Sequence, residues 1–238
     1  LPSKAKLKQY QQLHSKKFRQ KYGLFVVEGL KSVNELNQSE WPVECILCTK
    51  SFLEDYEASI NYPIEVIEKE DFYKISNQKN PQEVLAIASI SFPPTPPSKW
   101  KIALDNINDP GNLGTIIRIA DWYGITEIYC SQNSVDIFNS KVIQASMGSF
   151  LRVRVNHCNL SEQLKGEKVY ATLLNGESIR EINVPSEGVL LVGNEANGIS
   201  EELLQVLKPT AVTIPRIGDA ESLNAAIATA VCCERLFG

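Results

Sequence analysis

Short apolar runs alternate along this chain with segments whose apolar residues recur every three or four positions. Over 4–21, Leu7, Tyr10 and Leu13 form one stripe with lysines on the other side, which predicts a helix ended by Tyr22-Gly23. A strand at 24–27 follows, and Glu28-Gly29-Leu30 opens a helix reaching Asn37. Then come a strand at 43–48, a helix at 51–60, a strand at 64–67, a polar helix at 69–76 and a strand at 84–90. The second half alternates again. Strands are predicted at 100–104, 127–130, 168–173, 189–192 and 211–214, with an extended piece after Gly148. Helices are predicted at 112–123, 139–147, 160–164, 200–207 and 223–236. Such alternation indicates an α/β architecture in both halves, with no internal repeat.

The halves are separated by Phe92-Pro93-Pro94-Thr95-Pro96-Pro97-Ser98, which forms neither helix nor interior strand and favours a stiff extended spacer. The expected domains are therefore 1–91 and 99–238, joined by a linker at 92–98.

The chain has 238 residues, 43% hydrophobic and 22% charged, which suits a soluble globular protein with a real core. No apolar run approaches the roughly 18–20 residues of a membrane span, and nothing at the start argues for export. The formal charge of −4 hides an asymmetry. Residues 1–31 carry eight cations against Glu28 alone, a balance of +7, which leaves −11 for the rest. A basic segment on an acidic body indicates a face for a polyanion, or simply a solvated helix face. Cys45 and Cys48 have a Cys-x-x-Cys spacing but no second pair or nearby His, and alternation puts them on opposite faces of a strand. Reduced thiols in a cytoplasmic protein are the simpler account, and no metal is expected with only His14 and His157 present.

The stretch at 104–124 carries the most chemistry. A strand end leads into the turn residues Asn108-Asp109-Pro110-Gly111, and the helix pattern then begins at Asn112 and closes at Gly124. Leu113, Ile116, Ile117 and Ala120 share its apolar face. Arg118 lies four residues after Gly114 on one face and leans back toward the helix start, beside a loop rich in carboxamides. That arrangement suits a phosphate or a polar ribose, although a surface arginine on an ordinary helix reads the same way.

Two further strand ends carry unusual loops, at 193–199 and 214–224. Loops after the carboxyl ends of parallel strands are where ligands bind in open α/β sheets. Glu195 lies between Gly193 and Gly198, and Ser222 is equally an N-cap of the last helix. None of the loops is a Walker loop or a GxGxxG turn, which argues against a nucleotide-dependent oxidoreductase.

Together the three loops resemble a known set. Asn-x-x-Asp-Pro-Gly-Asn-x-Gly-x-x-x-Arg at 106–118, Gly-Asn-Glu-x-x-Gly at 193–198 and Ile-Pro-x-x-Gly-x-x-x-Ser-Leu-Asn at 214–224 occur in the order of the SpoU (TrmH-like) RNA 2′-O-ribose methyltransferases. Residues 1–91 resemble the RNA substrate-binding domain attached to rRNA-modifying members, through Leu13-His14-Ser15-Lys16-Lys17-Phe18-Arg19 and Phe25-Val26-Val27-Glu28-Gly29.

The resemblance implies a parallel sheet with a deep trefoil knot in the C-terminal domain, an exception to the rule against knotted chains, plus a small N-terminal α/β domain. It implies S-adenosylmethionine held by backbone groups at Gly193, Ile214 and Leu223, with contacts near Leu173, Leu174 and Asn175. Glycine at 193 is expected because a β-carbon would intrude on that ligand. A homodimer is implied, with the apolar helix 223–236 at its interface, and Lys16, Lys17, Arg19 and Lys21 are implied RNA contacts. Arg118 matches the family's catalytic arginine, serving the target phosphate and the developing 2′-oxyanion. Glu195 is the candidate proton acceptor or the group that orients Arg118, while Asn112, Ser222 and Asn224 hydrogen-bond the site. Ribosomal RNA is favoured over tRNA on the N-terminal domain alone. A non-catalytic RNA-binding protein of the same fold is the alternative.

Overall fold

The computed structural model describes residues 2–55 and 63–237, and its contacts divide the chain into two units: Leu1–Pro94 with Phe138–Leu151, and Thr95–Ile137 with Arg152–Gly238.

In the first unit, the basic segment expected as one helix is two. Helix α1 (Lys4–Gln12) starts at Ser3, whose Oγ accepts from Lys6 N at 3.2 Å, and α2 (Lys16–Tyr22) ends at Gly23 in the left-handed region. Between them the chain turns because buried Arg19 satisfies the carbonyls there. Its Nη1 donates to Leu13 O at 2.8 Å and to His14 O at 2.9 Å.

Strand β1 (Leu24–Glu28), α3 (Leu30–Asn37), β2 (Val43–Cys48), α4 (Lys50–Asp55), β3 (Ile64–Val66), α5 (Lys69–Ile75) and β4 (Val84–Ser89) follow. The expected continuation of α4 beyond Asp55 lies outside the described residues. The strands form a sheet of order β1-β4-β2-β3, antiparallel except for β2 with β3. Its core gathers Tyr10, Leu13, Leu47, Phe72, Ile75 and Leu85.

The second unit opens with β5 (Trp100–Leu104), α6 (Pro110–Trp122) and β6 (Glu127–Ser131). The chain then supplies 138–151 to the first unit, including α7 (Ser140–Ser146). This segment brings Phe138 within 4.6 Å of Phe25 and Phe150 within 5.7 Å of Trp41, ring centre to ring centre. Phe92, expected in a spacer, sits 5.2 Å from Trp41 in the same aromatic cluster. A contiguous division at the prolines leaves this packing out, since nothing in local periodicity says which core an apolar helix joins.

The second unit resumes with β7 (Arg154–Cys158), α8 (Leu160–Gln163), β8 (Val169–Ser178), β9 (Gly188–Val192), α9 (Glu201–Leu207), β10 (Thr210–Thr213) and α10 (Ala225–Phe237). Its sheet has the order β10-β8-β9-β5-β6-β7 with every pair parallel. Strands β5 and β9 lie side by side and are almost wholly buried, so they read as unbroken apolar runs. Strand β8 runs past the expected end at 173. Ala171 pairs with Ala211 and Glu177 with Val212, so β10 bypasses residues 172–176. Here the chains cross closely: a Cβ on Gly176 would sit 2.7 Å from the carbonyl carbon of Ala211, which requires glycine. Among the described residues, no helix is long and apolar enough to cross a membrane.

Candidate active site

Asn112, Glu195 and Asn224 come together at the carboxyl ends of neighbouring β5 and β9, with β6 flanking β5 on its other side. Such a point, where successive connections leave a central strand in opposite directions, opens a crevice for ligands.

Helix α6 begins two residues earlier than its apolar pattern indicates. Asp109 is the N-cap, its Oδ1 accepting from Asn112 N at 2.8 Å, and Pro110 takes the first helical position, where its missing N–H costs nothing. Asn112 therefore sits inside the first turn, not at its start. Its side chain has two partners. Nδ2 donates to Glu195 Oε1 in a short hydrogen bond, and Oδ1 accepts from Asn224 Nδ2 at 2.9 Å. Side chains from all three loops thus form one chain, Asn224 to Asn112 to Glu195. No hydrogen bond or ion pair joins Glu195 to Arg118 among the described residues; the bonded carboxylate oxygen faces Asn112. Glu195 Oε2 has no protein partner among the described residues.

Asn224 is also the cap of α10. Its Oδ1 accepts from Ala226 N at 2.9 Å and Ile227 N at 3.3 Å, and the helix starts at Ala225. The capping role open to Ser222 belongs to Asn224, which places Ser222 in an exposed loop with no hydrogen bond among the described residues. Arg118 is exposed, and its guanidinium makes no hydrogen bond or ion pair among the described residues.

The loop after β9 is closed on itself. Asn194 N donates to Gly198 O at 3.0 Å and Gly198 N to Asn194 O at 2.8 Å. A Cβ on Gly193 would overlap the Gly198–Ile199 backbone. Glycine at 193 is therefore required by the protein's own loop. The motifs contain Asn106 and Asn194 without giving them a role, and they leave out Asp105. Asp105, only 3% exposed, accepts from Ser200 N at 2.9 Å and from Asn106 Nδ2 at 3.0 Å. Asn194 Nδ2 donates to Asn106 O at 2.8 Å, and Asn106 N donates to Ser131 Oγ at 2.8 Å. Asn106 itself adopts a positive φ of 55°, which asparagine tolerates better than most residues. The signal for Asp105 itself is an acid directly after a buried strand, where a lone carboxylate needs donors.

The third loop differs. Among the described residues, 215–223 make no backbone–backbone hydrogen bond, and Ile217 is 94% and Leu223 46% exposed. Leu174 is 74% exposed in the bypassed stretch of β8, beside exposed Asn175 and half-buried Leu173 and Ile214. Unpaired amides and bare apolar side chains at adjoining strand ends fit a ligand with a flat heterocycle and polar edges.

In the first unit Lys16, Lys17 and Lys21 are exposed on α2, whereas Arg19 is buried and spent on the two carbonyls. Arg19 is a structural residue and presents no charge to an RNA. The six cysteines are free thiols. Burial pushes the Cys45 thiol up to about 11, far from a reactive thiolate. Among the described residues, no group of His, Cys, Asp and Glu is placed to hold a metal ion.

The profile of the SpoU rRNA Methylase family matches residues 99–234, and that of the MRM3-like substrate binding domain matches residues 4–86. The chain is 31% identical over 239 residues to the 23S rRNA (guanosine(2553)-2′-O)-methyltransferase RlmP of Bacillus subtilis, covering 98% of this chain and 96% of that protein. It is 33% identical over 139 residues to a tRNA (guanosine(18)-2′-O)-methyltransferase of Thermus thermophilus, a match confined to 55% of this chain and 70% of that one. An AdoMet-bound rRNA methyltransferase from Sinorhizobium meliloti superposes with a TM-score of 0.83 at 29% identity, covering 99% of this chain and 96% of the other.

Proposed function

The chain belongs to the SpoU rRNA methylase family, and from that premise we propose that it transfers a methyl group from S-adenosylmethionine to a ribose 2′-hydroxyl of ribosomal RNA. This reading rests on the hydrogen-bonded chain Asn224–Asn112–Glu195, which brings one side chain from each of the three loops to one place. Ribosomal RNA is preferred to tRNA because the full-length relative acts on 23S rRNA, whereas the tRNA-modifying relative matches little more than half of this chain.

S-adenosylmethionine, when bound, supplies a methyl group already activated on a sulfonium. The remaining work is positioning and electrostatics. The backbone at Gly193, Ile214 and Leu223 and the stretch Leu173, Leu174 and Asn175 would hold the cofactor, and the exposed Leu174 and Leu223 side chains would offer it apolar surface. Glu195 Oε2 is open to accept the 2′-hydroxyl proton, while Asn112 fixes the other carboxylate oxygen. Arg118 serves the target phosphate and the developing oxyanion; a guanidinium is a poor base, which leaves the proton to Glu195. Asn112 and Asn224 position the carboxylate, and Ser222 joins the site from the open loop. In the first unit, exposed Lys16, Lys17 and Lys21 would contact RNA phosphates.

Three finer readings follow the family. The bypass of 172–176 and the tight crossing at Gly176 fit the path of a trefoil knot. Ile227 and Val231, exposed on α10 with Leu223 just before it, fit a homodimer interface. Free cysteines fit a cytoplasmic setting.

The test is transfer of labelled methyl from S-adenosylmethionine to unmodified rRNA and tRNA fractions side by side. Label on a ribose 2′-oxygen of rRNA is expected. Label in tRNA alone would overturn the substrate class, and cofactor binding without transfer to any RNA would favour a non-catalytic binding protein.

A further inference from the structure

Between the ends of β5 and β9 lies a pocket of ≈ 260 Å³ lined by Asn106, Asn108, Asn194, Asn197, Gly198 and Ser200. Its walls are fixed by groups already engaged. Buried Asp105 takes Ser200 N and Asn106 Nδ2, Asn194 Nδ2 holds Asn106 O, and Asn194 Oδ1 takes the N–H groups of Ala196 and Asn197 at 2.9 and 3.1 Å. Three lining side chains remain wholly unengaged among the described residues. The carboxamides of Asn108 and Asn197 and the hydroxyl of Ser200 make no hydrogen bond among the described residues.

Their chemistry narrows the occupant. Each carboxamide offers both donors and an acceptor, and the hydroxyl adapts to either role. None of the lining residues is charged, so the pocket has no complement for a phosphate, carboxylate or ammonium. It is also smaller than the roughly 300–1,000 Å³ of sites that enclose a whole drug-sized ligand. A single flat, neutral heterocycle with donors and acceptors along one edge fits both the size and the lining. Asparagine side chains read nucleobase edges in this way.

Its place along the chain supplies the rest. Asn194 directly precedes Glu195, and Asn108 lies in the loop that leads to α6, four residues before Asn112. A base is one bond from its ribose, so a ribose held at Glu195 has its base within reach of this pocket. We propose that the pocket receives the base of the nucleotide being methylated, unstacked from its neighbours, and that Asn108, Asn197 and Ser200 read its edge. The proposal rests on the reading of ribose methylation given above and adds to it the basis of nucleotide choice.

The test uses short RNAs carrying the mapped methylation site with each of the four bases or an abasic ribose at the target. The wild-type chain is compared with Asn108→Ala/Asn197→Ala. The wild type is expected to prefer one base by roughly tenfold or more in kcat/KM, and the double variant to lose most of that preference. Both should methylate the abasic RNA at the same rate and bind S-adenosylmethionine equally. A thio-substituted target base should photo-crosslink to 106–108 or 194–200, a readout independent of turnover. Unchanged base preference in the double variant, crosslinks elsewhere, or weakened cofactor binding would overturn the assignment. Failure of the wild type to methylate any RNA would instead sink the ribose-methylation reading on which the assignment rests.

Discussion

The loops after β5 and β9 are tied to each other by several side chains, whereas the loop after β10 joins them through Asn224 at its end and leaves 215–223 almost untied. Two sets of bonds hold the first two: Asp105, Asn106 and Asn194 in one, and Asn112 with Glu195 in the other. In the third, the one side-chain bond internal to 215–223 is Arg216 Nη1 to Ala220 O at 3.1 Å, and Ile217 stands in solvent. The two kinds of loop divide the labour of a site. Where a carboxylate must be aimed, its geometry is fixed before any ligand arrives, since preorganised groups need no rearrangement during the reaction. Where a large ligand is to be enclosed, the backbone is left unpaired and apolar surface is left bare, and the ligand itself supplies the missing contacts.

The largest expected effect separates the chemistry from both loops. Arg118→Ala should lower kcat by roughly 100- to 1,000-fold, the usual cost of losing one oxyanion contact. Cofactor affinity measured by calorimetry should stay unchanged; a weakened Kd with normal turnover at saturation would show that Arg118 belongs to the cofactor site.

Breaking the tied network comes next. Asn112→Ala frees Glu195 and leaves Asn224 Nδ2 without an acceptor, so single-turnover methyl transfer should slow by about tenfold or more. Asn224→Ala should slow transfer too, and in addition lose about 1 kcal/mol of stability with the cap of α10. Equal stability of the two variants in denaturant titrations would contradict the double role of Asn224.

The same contrast between engaged and open groups recurs in the first unit and gives a smaller effect. Arg19→Ala should destabilise the protein by about 1.5–3 kcal/mol, the range for charged donors on buried carbonyls. Lys16→Ala and Lys17→Ala should leave stability within about 0.5 kcal/mol but weaken RNA binding, each reducing the salt slope by about 1. A lysine variant that unfolds the protein, or an arginine variant that only weakens RNA binding, would reverse these assignments.

The smallest effect is a pH dependence. Glu83, at a positive φ of 58°, accepts from Thr49 Oγ1 at 2.6 Å and Ser51 Oγ at 2.7 Å and pairs with Lys69 Nζ at 2.6 Å. Those donors, Lys69 first, hold its carboxyl at about 2, below its ordinary 4.5. The folded state therefore binds this proton less readily than the unfolded chain. Its contribution is complete above the unfolded value and is lost as pH falls from about 4.5 toward about 2. Unfolding followed along that window should show a shallower acid limb in Glu83→Gln than in the wild type.

Much of the molecule is legible in its sequence alone. The alternating periods place nearly every strand and helix of both sheets, because each element must turn an apolar face to a core. The three loop motifs single out Asn112, Glu195 and Asn224, and the structure joins them. Other features are decided only in three dimensions. Arg19 reads as one more cation in a basic run, yet the turn at 13–15 buries it, since two inward-facing carbonyls need a donor. Asp105 carries no motif of its own, and its role appears only when Ser200 N, 95 residues away, reaches it from the start of α9. The segment 138–151 reads as part of the second domain, but its phenylalanines complete the aromatic cluster of the first. Local sequence determines which residues form a strand or helix and which loops carry reactive side chains, because those preferences act over a few residues. Which core an apolar segment enters, and which distant amide a buried carboxylate meets, is settled by tertiary packing, since those energies exist only once the partners are adjacent.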